Sequence, residues 1–151
     1  MEVLDGRTSA DSRALLEGLV GVRVGWVLAG PLLHLQDLVL ARYCAFDLWG
    51  GQLVVRSVLH ETNEFIDYGV FEVAQTAGSG NSTLMEDVSA ISINPVMTVQ
   101  GVELQEGRER GDREDVLFHS RVRLVGDTHT LDLEHGPPAF GGPLGIHLRP
   151  L

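Results

Sequence analysis

The chain has 151 residues, enough for about one ordinary domain that buries its own core. Its composition, 44% hydrophobic and 21% charged, excludes wholesale disorder. All 11 basic side chains are arginine and they meet 21 acidic ones, for a net charge of −10 at pH 7. The lack of lysine removes Schiff-base and P-loop chemistry, and the negative charge argues against direct binding to nucleic-acid phosphates.

In chain order, residues 1–8 read as a loose terminus. Met1-Glu2-Val3-Leu4-Asp5 carries two acids and no basic segment, so it is not a secretion signal. Ser9 or Asp11 can cap a short helix that runs through Ala14-Leu15-Leu16-Glu17 and ends at Gly18. Periodicity then changes to two. Val20, Val22 and Val24 begin a strand that stops at Ala29-Gly30-Pro31, with Leu32 to Gln36 as its return strand. The apolar stretch from Val24 to Leu33 falls well short of the ~20 residues a membrane helix needs.

Tyr43 to Leu59 reads as a hairpin with Gly50-Gly51 at the centre of its turn. That register sets Leu48 opposite Leu53, Phe46 opposite Val55 and Cys44 opposite Ser57, with Asp47 and Arg56 as diagonal neighbours. Phe65 to Thr76 is the next strand. Its alternation places Asp67 beside Phe65, Phe71 and Val73, on the face expected to be buried. Residues 77–82 are a flexible loop by composition, and Thr83-Leu84-Met85-Glu86 has capping-box spacing for a second short helix to about Ala90. Ile91 to Thr98 returns to strand, with Pro95 marking an edge or a bulge.

Residues 106–115 read as an exposed charged loop; the Arg110-Gly111-Asp112 triplet in it is too short to carry meaning. Val116 to His135 is a hairpin about Gly126-Asp127, with Arg121 opposite Asp132, His119 opposite Glu134 and an apolar opposite face. Residues 136–143 form a Pro/Gly-rich irregular tail, after which Ile146 and Leu148 dock as an edge strand. The expected whole is a single domain over 1–151. It is mainly β, an antiparallel meander forming a small barrel or sandwich with one or two short helices. The alternative is an α+β sheet with helices on one face.

Catalytic constellations are absent from the pattern. His60-Glu61-Thr62-Asn63-Glu64 lacks the second histidine of a zinc-protease helix and follows a strand. No His-x-His or Cys-His cluster suggests a metal, and no glycine-rich fingerprint suggests a nucleotide; cofactors and metals are expected to be none. Gly78-Ser79-Gly80 lacks the spacing of a nucleophile elbow. The single Cys44 forms no intrachain disulfide, fits a reducing cytoplasm and is placed on an apolar strand face as a structural thiol.

Between Arg56 and Arg108 there is no basic residue, while Glu61, Glu64, Asp67, Glu72, Glu86, Asp87, Glu103 and Glu106 fall within that stretch. The leading expectation is a non-catalytic acidic protein that contacts a basic protein partner, as immunity proteins and inhibitors do, through Glu61, Glu64, Asp67 and Glu72. The alternative is a small-molecule or enzymatic cavity lined by Trp26, Phe46, Trp49 and Tyr68, with Asp67 as a buried carboxylate of raised pKa. A third is a structural subunit that self-assembles through sheet edges.

Overall fold

The structure, a computed structural model, describes residues 1–35, 38–77 and 88–151. It is mainly β with one short α-helix among the described residues. The elements are β1 (Glu2–Gly6), α1 (Ala10–Glu17), β2 (Arg23–Gly30), β3 (Leu33–Leu35), β4 (Leu38–Ala41), β5 (Tyr43–Leu48) and β6 (Gly51–Glu61). They continue with β7 (Asp67–Ala77), β8 (Ser89–Arg110), β9 (Glu114–Gly126), β10 (His129–His135), a 3₁₀ turn at Pro138–Phe140 and β11 (Leu144–Pro150).

The strands pair in the order β3-β4-β11-β10-β9-β8-β2-β5-β6-β7, and β1 runs parallel to β9. Among the described residues the two ends of that path do not pair with each other, so the sheet is not closed into a barrel. It folds over as an open, sandwich-like arrangement. The fold-over is made by β8, a strand of 22 residues. Its first half, Ser89 to Thr98, pairs with β2; its second half, from Val99, pairs with β9. Pro95 lies where the β2–β8 ladder slips between Val24 and Trp26, a bulge of the kind a missing amide donor favours. Phe46, Leu53, Val55 and Phe71 from one layer meet Val122, Leu124, Leu131 and Leu133 from the other in one buried cluster.

Helix α1 forms where its caps predict. Ser9 Oγ accepts the Ser12 amide at 3.1 Å, and Gly18 ends the helix. Leu16 goes into the core, and the Ser12 hydroxyl both accepts from the Val73 amide (3.1 Å) and donates to the Val73 carbonyl (3.4 Å). The helix thereby satisfies part of the outer edge of β7, the last strand of the path.

Several expectations are corrected. Residues 2–6, read as loose terminus, form β1. The reason lies on β9: β10 pairs with it only from Arg121 to Val125, and β1 takes the edge left over at Glu114 to Phe118. Residues 106–115, read as a loop, are mostly strand, because Glu106 to Arg110 pair with Asp115 to His119. Leu33–Leu35 pairs with β4 and not back onto β2, and β11 lies between β10 and β4 and not at an edge. The loop expected at 77–82 falls outside the described residues from 78 on, as does the second helix up to residue 87; Ser89 and Ala90 belong to β8.

Both hairpins differ from the sequence reading by two positions. Leu48 pairs with Gly51, so the turn centres on Trp49-Gly50, with Gly50 at φ 84°. Val125 pairs with Thr130 across a four-residue loop. Gly126 serves close packing there and not a type II′ turn, since a β-carbon on it would collide with Met97. A shift of two leaves every side chain on its expected face. The apolar faces therefore hold, while the pairs change: Arg121 meets Glu134 and Arg123 meets Asp132.

Candidate functional site

One end of the sandwich opens into a cleft of about 180 Å³. Ser57 and Leu59 reach it from β6, Asp67, Tyr68 and Gly69 from β7, Glu109 from β8, Phe118 from β9 and His135 from the end of β10. Two larger hollows, of about 530 and 470 Å³, lie beside Arg56 and Glu72 and beside His147 and Arg149. Unlike them, the cleft joins a hydroxyl, an imidazole, two carboxylates and two aromatic rings.

His135 is held by packing and by both ring nitrogens. Its ring stacks on Phe71 with centroids 4.0 Å apart, and a β-carbon on Gly69 would collide with it. Glycine is thus required at position 69 for close approach. Nε2 lies 2.8 Å from the His119 carbonyl, and Nδ1 lies 2.6 Å from Ser57 Oγ. A carbonyl oxygen only accepts, so Nε2 carries the hydrogen and Nδ1 is free to accept the Ser57 hydroxyl proton. Burial pushes the imidazole pKa below its usual value, so the ring is neutral at pH 7. His119 is buried and neutral by the same cause, and its Nδ1 accepts the Thr8 amide at 3.0 Å.

The four carboxylates expected to form one acidic surface do not share a face. Asp67 lines the cleft mouth, and Glu61 lies directly opposite it across the β6–β7 ladder. Glu64 is turned to a structural use: its carboxylate accepts the amides of Asp112, Arg113 and Glu114 at 2.9, 2.6 and 2.7 Å. Those bonds, first that of Arg113, hold its pKa below the ordinary value and tie the β6–β7 turn to the β8–β9 turn. Glu72 lies five residues beyond Asp67, on the other face of β7, opposite Arg56.

Nor do the expected cavity residues meet. Phe46 is core, Trp26 is half exposed, and Trp49 stands fully in solvent on the β5–β6 turn. Only Tyr68 and Asp67 reach the cleft. Asp67 is exposed and not buried, because it begins β7 at the rim; the buried part of that face starts at Gly69 and Phe71. Cys44 is fully buried and its thiol is pushed up to about 12, which makes it inert at neutral pH. His60 stacks on Tyr68 at 5.5 Å. Among the described residues no three histidine, cysteine or carboxylate groups converge to hold a metal, and no helix is long and apolar enough to cross a membrane.

Sequence reasoning missed Ser57, His135 and Glu109. Ser57 and His135 lie 78 positions apart and meet only because β8 folds one layer over the other. The chain matches no family model, no curated protein and no solved structure.

Proposed function

We propose that the chain is a binding module that takes a cationic side chain of a basic protein partner into this cleft. The observation that carries the reading is the pairing of uncommitted charge with aromatic walls. Asp67 and Glu109 line the cleft with Tyr68 and Phe118, and neither carboxylate has a hydrogen-bonding or ionic partner among the described residues. A guanidinium or ammonium between them meets both carboxylate charge and the ring faces. Size supports a side chain over a free metabolite: ligand pockets usually span about 300–1,000 Å³, and this cleft has about 180 Å³. The net charge of −10 favours fast encounter with a basic partner. Self-assembly through sheet edges has less support, because α1 occupies the β7 edge at Val73.

The test is titration with a hexa-arginine peptide at two salt concentrations. The Asp67→Asn, Glu109→Gln double variant is expected to lose about tenfold in affinity, or ~1.4 kcal/mol, with a flatter salt dependence. Glu72→Gln, on the other face, is expected to bind as the parent does. Equal binding by the parent and the cleft variant overturns the reading.

A further inference from the structure

We propose that Ser57 is a nucleophile activated by His135 and that the cleft cleaves small carboxylic esters by way of an acyl-Ser57 intermediate. This shares with the preceding reading only the premise that the cleft admits a ligand. The argument is geometric. Ser57 Oγ and His135 Nδ1 are at hydrogen-bond distance, 2.6 Å, within the ~2.6–3.2 Å reach expected of a nucleophile and its general base. The base is oriented by a third group, the His119 carbonyl at 2.8 Å, which fixes the tautomer that leaves Nδ1 as acceptor. Phe71 stacked on the ring and Gly69 beneath it remove the freedom to rotate away. Both partners of the dyad line a cleft that reaches solvent, so an electrophile can approach Oγ.

The chemistry balances with water as the only co-reactant. As Ser57 Oγ bonds to the ester carbon, its proton passes to Nδ1. The carbon–oxygen bond to the alcohol breaks, and the leaving alkoxide takes that proton from Nδ1. Water then gives a proton to Nδ1 and attacks the acyl-serine carbon. The acyl–Oγ bond breaks, Oγ recovers the proton, and a carboxylic acid leaves. Tyr68 lines the same cleft, and its hydroxyl has no hydrogen-bond partner among the described residues, which leaves it available to the oxygen that turns negative. The carbonyl of His119 carries no full charge, so it steadies the transient imidazolium less than a carboxylate does, and turnover is expected to be slow.

The experiment is labelling with a small, uncharged fluorophosphonate, the modified residue being located by mass spectrometry, together with release of nitrophenol from p-nitrophenyl acetate. The parent protein is expected to label at Ser57. Ser57→Ala is expected to lose the label entirely. His135→Phe keeps a ring on Phe71 and removes the base, and it is expected to label about 10²-fold more slowly or worse. Glu72→Gln, on the other face of β7 and outside the cleft, is expected to label like the parent; because the probe carries no charge, labelling is independent of the cationic-ligand reading. No label on Ser57 in the folded parent overturns the proposal, as does an equal rate in a His135→Phe variant whose circular dichroism is unchanged.

Discussion

The outer face of β8 to β11 and the cleft at the end of the sandwich are both built from charged side chains on paired strands, yet they use charge in opposite ways. On the outer face the charges of β9, β10 and β11 are spent on neighbours. Arg123 donates to both oxygens of the buried Asp132, at 2.8 and 3.1 Å, with Arg149 at 3.8 Å. Arg121 meets Glu134 at 2.9 Å, and His147 lies 3.9 Å from the same carboxylate. At the cleft Glu61 and Asp67 oppose each other with like charge, Glu109 stands by, and none of the three has an ionic partner among the described residues. Charges arranged in opposite pairs across strands stabilise a sheet; like charges placed opposite cost stability. The first region fixes the fold, whereas the second carries a cost that a ligand can offset.

The sharpest way to break the contrast is at the floor of the cleft. Phe71 is fully buried and supports the His135 ring. Phe71→Ala is expected to cost about 3–5 kcal/mol in urea unfolding, and to lose any Ser57 labelling. On the ladder side, Asp132→Asn removes a charged acceptor shared by Arg123 and Arg149. The cost expected there is about 1.5–3 kcal/mol, less than for the core change because both arginines keep contact with water. Measured costs in the reverse order would mean that the outer ladder, and not the packing under His135, contributes more to the stability of the fold.

Acid titration sharpens the contrast further. His135 and His119 have folded pKa values lowered by burial from an ordinary 6.5. Below that value the unfolded chain binds protons that the folded one refuses, so their contribution is complete above pH 6.5 and is lost as pH falls through the lower folded values. Asp132 is also lowered, from 3.8: its burial acts the other way, and the Arg123 hydrogen bond outweighs it together with the nearby arginine charges. Glu64 is lowered from 4.5 by its backbone bonds. The support these carboxylates give is present above their unfolded values and is lost only as pH falls through still lower ones. Hydrogen exchange is expected to loosen His135 and the Thr8 amide first and the Arg123–Asp132 ladder last. Simultaneous loosening of both regions would refute the assignment.

What was legible in the sequence follows the same division. Faces were legible, because the period of two survives a register error of two: Cys44, Phe46, Val122 and Leu124 are buried as alternation requires. The ladder was half legible; its charges are on the expected face but with other partners, since Gly126 serves close packing, a purpose that the turn rules do not encode. The cleft was illegible. Glu64 reads as a free acid but binds three backbone amides, and Ser57 with His135 has no local pattern at all. Long-range contact made by a strand that changes layers leaves no trace in spacing. β1 failed for a similar reason, being recruited by an edge of β9.

The smallest expected effect discriminates best between fold and function. Asp67 and Glu61 are exposed, directly opposite and alike in sign. If they served stability, neutralising one would lower it. The contrast above requires the reverse: Asp67→Asn removes a cross-strand repulsion and is expected to leave the midpoint of unfolding unchanged or to raise stability by a few tenths of a kcal/mol. The gain is expected to shrink in high salt, which screens exposed charges from one another. The same variant combined with Glu109→Gln is expected to weaken hexa-arginine binding. A residue whose loss helps the fold and harms binding is retained for the ligand; a variant that loses stability instead would make the cleft mouth one more structural charge site, like Glu64.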